Sequence, residues 1–99
     1  MKYRFHRAAA GEHLDNVEFY ESRQPGLGAD YLAEFEAVMA HVCAAPGFYP
    51  RIDAPDIHKA GLKRFPFHII YRAGQVQIDV LAVAHQRRRP AYWAGRLLK

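Results

Sequence analysis

Apolar and polar positions follow helical spacing in the N-terminal half of the chain and strand-like spacing in the C-terminal half. Residues 3–7 alternate apolar and polar side chains, which predicts a short strand with one buried face. From Ala8 the spacing becomes helical, and this helix is predicted to end at Gln24-Pro25-Gly26, because proline and glycine interrupt helices. A second helix is predicted over 28–45. Because a short turn joins them, we expect the two helices to pack as an antiparallel hairpin.

Each predicted helix carries an apolar stripe that indicates its buried face. The stripe of the first helix consists of Leu14, Val17 and Tyr20. The acidic residues Glu12, Asp15, Glu18 and Glu21 line the other side. The stripe of the second helix consists of Leu32, Phe35, Val38, Met39 and Val42. We therefore expect the hairpin to cover one face of a sheet.

The strands of that sheet are predicted in the C-terminal half. Residues 47–56 contain several prolines and glycines and are predicted to form a loop, and 57–63 forms a weak strand. Residues 65–72 form a strong strand, and 75–84 form the strongest, which is apolar on both faces at its far end and therefore central in the sheet. Pro90 suits the first turn of a short terminal helix through Leu98.

These elements predict an α+β fold in a single domain that spans residues 1–99. An N-terminal strand is followed by an antiparallel two-helix hairpin, which packs on a mostly antiparallel sheet with three C-terminal strands. A short C-terminal helix completes the fold. Apolar residues make up 51% of the 99 residues, which is enough to form a core.

Charge is distributed unevenly between the two halves. Residues 1–56 carry five Lys or Arg against nine Asp or Glu, a net charge of −4, whereas residues 57–99 carry nine basic residues and one acid, a net charge of +8. A half this basic indicates a surface that meets an anionic partner, either nucleic acid or an acidic protein segment. A solvated basic face without a partner is the alternative reading.

Composition excludes several kinds of chemistry. The chain has no threonine and only one serine, Ser22, which argues against a serine hydrolase, and its single cysteine, Cys43, excludes an internal disulfide. Six histidines show no metal-ligand spacing, and no glycine-rich phosphate loop is present, so we expect neither a metal nor a cofactor. No apolar run approaches the roughly 20 residues that span a bilayer. We expect a cytoplasmic protein without a membrane partner.

One dense group of polar and aromatic residues, 85–93, follows directly from the strongest predicted strand. Arginines bind phosphates in bidentate fashion, and Tyr and Trp stack on bases. His85 and Tyr92 would also suit acid–base cleavage of RNA, which requires no metal. In the alternative reading, Tyr92 and Trp93 cap the core and His85 fixes the backbone turn.

Three segments together resemble the RelE/ParE superfamily of bacterial toxins: 25–28, 64–71 and 80–93. These proteins are the toxic halves of type II toxin–antitoxin modules. The resemblance implies a small cytoplasmic toxin that arrests growth and is neutralised by a cognate antitoxin, whose extended or helical segment wraps the toxin. The basic half is consistent with this, because antitoxin segments of this kind are often acidic.

The superfamily divides by target. RelE-like members cut messenger RNA on the ribosome, whereas ParE-like members poison DNA gyrase and are not nucleases. The resemblance implies catalytic roles for Arg88 and Tyr92, with Lys59 as a further basic match, but Gln86 and His68 stand where such nucleases carry arginines. Loss of a fixed positive charge weakens stabilisation of a cleaving phosphate.

This departure favours a ParE-like toxin that inhibits DNA gyrase. The first alternative is a RelE-like, metal-independent endoribonuclease, in which His85, Arg88 and Tyr92 would act with help from His68. The second alternative is a non-toxic binding module with the same fold. Whether the protein is an enzyme stays open at this point.

We expect the antitoxin to bind the groove between the helical hairpin and the sheet, together with the basic C-terminal face. Arg64 and Arg88 are the expected charged anchors. The full set of residues predicted to bind the antitoxin or the target is Arg64, Arg72, Arg87, Arg88, Arg89 and Trp93.

Overall fold

The computed structural model describes residues 1–98 and contains two long helices and a five-stranded sheet. In chain order the elements are β1 (Lys2–Phe5), α1 (Arg7–Arg23), α2 (Leu27–Ala44), β2 (Arg51–Asp53), β3 (Ile57–Gly61), β4 (Phe67–Ala73), β5 (Gln77–His85) and a 3-10 helix (Ala94–Leu98). The strands lie in the order β1-β5-β4-β3-β2. β1 runs parallel to β5, and every other pair is antiparallel. The predicted α+β fold is confirmed.

Most element boundaries differ from the prediction by one or two residues, and three elements differ in more informative ways. β1 ends at Phe5 because the His6 side chain caps α1, accepting a hydrogen bond from the Ala8 N–H at 3.1 Å. β2 lies inside the predicted loop, because its three exposed residues lack the apolar alternation that indicates a strand. The terminal helix is shorter than predicted, since Ala91 has a left-handed φ of 59°, which a helix does not accept.

A β-bulge in β5 sets which residues face the helices. Ile70 pairs with Ala82, whereas Tyr71 pairs with Val80, so Leu81 is an extra residue on β5. As a result, Val80 and Val83 both join the core beneath the helices although they lie three positions apart. Strict alternation would place them on opposite faces.

The two faces of the sheet carry separate apolar clusters. The cluster beneath the helices consists of Ala9, Phe35, Met39, Val42, Ala60, Ile69, Tyr71, Ile78, Val80 and Val83. The cluster on the other face consists of Ile57, Ile70, Leu81, Ala82 and Trp93. The segment that follows β5 therefore covers the face that the helices leave open. We call this the helix-free face.

The buried faces of both helices are rotated from the predicted stripes. Leu14 is 61% exposed and Leu32 is 39% exposed, so neither belongs to the core. Ala9 and His13 of α1 and Tyr31 of α2 are buried instead. The His13 ring packs against Phe35 in a tilted arrangement with ring centroids 4.1 Å apart, and its Nδ1 lies 3.2 Å from the Tyr31 hydroxyl, contacts that helical periodicity alone does not indicate.

The two helices lie close together at Gly28. A Cβ atom there would lie 2.8 Å from the backbone oxygen of Val17 and 3.0 Å from the Cβ of Glu21. The Gly28 N–H also donates a hydrogen bond to the Glu21 carboxylate at 3.1 Å. The packing of the helices next to their turn therefore requires a residue without a side chain at position 28.

We expect Gly28→Ala to lower the free energy of unfolding by about 1–3 kcal/mol, because the helices must separate to admit a methyl group. Gly11→Ala is the matched control, since Gly11 lies in α1 with nothing within 4 Å of its added Cβ. That change should raise stability by about 0.5–1 kcal/mol. Urea unfolding of both variants measures the difference, and equal effects would contradict close packing at Gly28.

Candidate functional site

A depression of about 360 Å³ lies on the helix-free face, between the sheet and the segment that follows β5. Its lining includes Ile52 and Asp53 of β2, Lys59 of β3, and His68 and Ile70 of β4. The segment after β5 supplies Gln86 and the run Arg88–Trp93. We call this the basic depression, because Lys59, Arg88 and Arg89 outnumber the acid Asp53.

The strand register and a turn after β5 form the walls of this depression. Lys59 pairs with Ile70, and both therefore project from the helix-free face. The chain turns back over the sheet at Gln86, whose N–H donates to the Pro66 oxygen at 2.9 Å. The Arg88 N–H donates to the His85 oxygen at 2.8 Å and closes the turn. This turn places the polar and aromatic segment 85–93 over the sheet.

The register separates the two histidines that were predicted to act together. His68 pairs with Ala84, and His85 pairs with Phe67, so the two imidazoles project from opposite faces. The His85 ring meets the Phe67 ring edge to face at 5.3 Å, and its Nδ1 accepts a hydrogen bond from the Arg87 N–H at 3.1 Å. Burial, followed by the charge of Lys59, lowers the pKa of His68. Both histidines belong to the lining of the basic depression, and His85 also fixes the turn.

Tyr92 is held by a carboxylate from α1. Its hydroxyl donates a hydrogen bond to Glu12 Oε2 at 2.9 Å. Burial, reinforced by Glu12, raises the pKa of Tyr92 to about 12. The Arg88 guanidinium carbon lies 3.9 Å from the centroid of the Tyr92 ring, a cation–π contact. Arg88 and Tyr92 therefore lie in contact, and the Tyr92 hydroxyl is already hydrogen-bonded to Glu12.

Glu12 is a residue of this site that the sequence does not reveal. It accepts hydrogen bonds from Arg96 at 2.8 and 3.1 Å and from the Val83 N–H at 2.9 Å. Burial acts to raise the pKa of Glu12, but the hydrogen bonds from Arg96, Val83 and Tyr92 outweigh it and lower this pKa. In the sequence Glu12 is one of a row of acids with helical spacing, and nothing distinguishes it from its neighbours.

Trp93 serves the core of the helix-free face. It is 5% exposed and packs with Ile57, Ile70, Leu81 and Ala82. Because so little of its surface is exposed, a base could stack on Trp93 only after a rearrangement. The alternative reading of Trp93 as a cap of the core is the one the structure shows.

Two of the remaining predicted arginines, Arg64 and Arg72, lie apart from the basic depression. Arg72 contacts Asp79 at 3.1 Å, and the same carboxylate contacts Arg4 at 2.8 Å. Burial acts to raise the pKa of Asp79, and hydrogen bonds from both arginines outweigh it and lower this pKa. Arg64 lies 3.7 Å from Asp30 and lines a different groove, which runs between α2 and the end of β3.

That second groove has a volume of about 500 Å³, and we call it the α2 groove. It is lined by Glu34, Ala37, Val38, His41, Phe48, Tyr49, Gly61, Lys63 and Arg64. Phe48 is 70% exposed there, an unusual position for a large apolar side chain.

Arg87 and Arg89 are exposed in the turn after β5. The predicted binding residues are thus spread over several surfaces.

Within residues 1–98, no three His, Cys, Asp or Glu side chains converge as a group that would hold a metal ion. Over the same residues, no helix combines the length and the apolar character that crossing a bilayer requires.

Comparison with known proteins rests on the fold. No protein-family model matches the sequence, and a search of curated proteins gives no match. Among solved structures, a chain of the chromosomal ParDE TA system from P. aeruginosa is similar, with a TM-score of 0.69 and 20% sequence identity. The match covers 86% of this chain and 95% of that one. The resemblance predicted from the sequence is therefore confirmed at the level of the fold.

The lowered pKa of Glu12 makes one contribution to stability pH-dependent. A carboxyl whose pKa is lowered on folding adds stability above its unfolded pKa, and this addition is lost as the pH falls through the folded pKa. Glu12→Gln should therefore lose less stability than the parent protein between about pH 7 and about pH 3. Glu18→Gln, at an exposed position of α1, is the control. Chemical denaturation at each pH tests this, and parallel losses in parent and Glu12→Gln proteins would contradict it.

Proposed function

We propose that this protein is the toxin of a type II toxin–antitoxin module, that it arrests growth in the cytoplasm, and that a cognate antitoxin neutralises it. The observation that carries the proposal is the fold, which this chain shares over 86% of its length with a chain of a ParDE TA system. The basic depression and the net charge of +8 in residues 57–99 support it, because both suit an acidic partner.

We further propose that the toxin acts by binding, as a ParE-like inhibitor of DNA gyrase, and not by hydrolysis. Three features of the basic depression support this. The Tyr92 hydroxyl is bound to Glu12 and its pKa is raised to about 12, which makes it a poor proton acceptor near neutral pH. His68 and His85 project from opposite faces of the sheet. Gln86 provides no positive charge for a cleaving phosphate.

One observation favours a RelE-like endoribonuclease as the second candidate. Lys59, His68 and Arg88 line the same depression, and a phosphate placed there would meet cationic side chains and an imidazole. The lowered pKa of His68 keeps this imidazole neutral near pH 7 and able to accept a proton. In this mechanism His68 would carry the chemistry, and His85 would hold the turn.

Induction of this gene alone in a bacterial host, with pulse labels for RNA, DNA and protein synthesis, separates these functions. We expect DNA synthesis to stop first, and the purified protein to stop supercoiling by gyrase. His68→Ala should leave that arrest intact. Early arrest of protein synthesis with cleaved transcripts, abolished by His68→Ala, would favour the nuclease. Unimpaired growth would favour the non-toxic binding module.

For the antitoxin, we propose two contact surfaces, the α2 groove and the basic depression. The α2 groove joins the exposed Phe48 ring to Arg64, whose side chain is 64% exposed, so it suits a segment that carries apolar and acidic residues. Arg88 would anchor the same segment on the helix-free face. The expected antitoxin is a small protein encoded beside this gene, with an acidic C-terminal half.

Charge reversal tests these anchors. Arg64→Glu and Arg88→Glu should each weaken binding of the adjacent acidic protein at low salt, by about tenfold or more, because each places like charges together. Arg7→Glu changes the net charge equally but alters an exposed position at the start of α1. Affinity is measured by calorimetry at two salt concentrations. If Arg7→Glu weakened the affinity as much as Arg88→Glu, net charge alone would explain the effect, and Arg88 would not be an anchor.

A further inference from the structure

We infer that Glu12 is a positioning residue, which fixes Arg88 at the basic depression through Tyr92. The functional consequence of this role rests on the proposed toxin function, whereas the structural role does not. Glu12 lies on α1, and Arg88 lies beyond the end of β5, so two distant parts of the chain are connected by one side chain.

The first step is the attachment of Tyr92. Its hydroxyl donates a hydrogen bond to Glu12 Oε2 at 2.9 Å. Glu12 itself is held from two further directions, by the Val83 N–H at 2.9 Å and by Arg96 at 2.8 Å. A carboxylate fixed by β5 and by the 3-10 helix has little freedom, so it sets the tilt of the Tyr92 ring.

The second step is the seating of Arg88. Its guanidinium carbon lies 3.9 Å from the Tyr92 ring centroid, well within the range of a cation–π contact. Arg88 is otherwise exposed, and within residues 1–98 its side chain takes part in no ion pair. The Tyr92 ring is therefore the surface that selects one orientation of Arg88 from many.

The charge of Glu12 contributes to this selection in a second way. Arg96 also approaches the Tyr92 ring, at 5.0 Å from its centroid, and donates to the Leu81 oxygen at 2.8 Å. Pairing with Glu12 keeps Arg96 at the edge of β5. Arg88, at the other end of the segment 88–96, is then the cation that lies closer to the ring. Without the carboxylate, two cations would meet one ring, and only the Leu81 oxygen would hold Arg96.

The orientation of Arg88 is measured directly by NMR. In the parent protein the ring current of Tyr92 should shift the Arg88 side-chain protons upfield, and Tyr92→Leu should abolish that shift. We expect Glu12→Gln to remove most of it, and Tyr92→Phe, which deletes only the hydroxyl, to reduce it. A role of Glu12 in stability alone would lower the melting temperature and leave the Arg88 shift unchanged in the folded protein. That result would overturn the inference.

Growth arrest on induction gives the functional readout. Glu12→Gln and Arg88→Ala should weaken it by similar factors, and the double variant should be no weaker than Arg88→Ala alone. Additive losses would contradict action of Glu12 through Arg88. If the parent protein proves non-toxic, the proposed function fails, and the NMR comparison still decides the positioning role. Glu18→Gln, on the same helix but exposed, should change neither readout.

Discussion

The carboxylate of Glu12 completes the edge of β5 that β1 leaves open. β1 ends opposite Val80, so within residues 1–98 the remaining half of β5 has no strand on that side, and an unpaired edge exposes its N–H and C=O groups. Glu12 accepts from the Val83 N–H, and Arg96 donates to the Leu81 oxygen, so this ion pair substitutes for a missing strand at the bulge. The net stability of a half-buried ion pair is small, but removing one partner leaves the other charge uncompensated. The position of the segment after β5 depends on this arrangement.

The uneven distribution of charge along the chain determines which ion pairs form in the folded protein. Acids of the first half approach cations of the second half, as Glu12 does with Arg96 and Asp30 with Arg64. Asp79 is shared between Arg4 and Arg72. Within residues 1–98, Arg87, Arg88 and Arg89 take part in no such ion pair. Three uncompensated positive charges therefore lie together in the turn after β5, where they can attract an anionic partner over a distance of about a Debye length, roughly 8–10 Å.

Periodicity predicted the α+β fold, the hairpin and the three long strands, because each depends on a pattern that local sequence carries. It did not predict β2, whose three residues form a strand only because the edge of β3 is available. It misplaced Leu14, since the face that a helix buries depends on which neighbours it meets. The bulge at Leu81 lies in an apolar run where either register looks acceptable.

The same limits apply to the site. The sequence indicated that 85–93 is important, and the structure brings Arg88 and Tyr92 together there. It gave no reason to separate His68 from His85, because the face of a strand residue follows from a register fixed by long-range pairing. Glu12 is 80 residues from Tyr92, a contact that no local pattern encodes.

The pairing of β1 with β5 also governs the order in which the protein matures during translation. Lys2 lies 75 residues before its partner Gln77, so β1 must wait for the intervening residues to emerge. The helical hairpin, complete at Ala44, exposes its apolar face during this interval. A nascent chain on the ribosome therefore has neither the finished sheet nor the basic depression. Any activity that depends on the depression begins only when the last strand and the segment beyond it have left the ribosome.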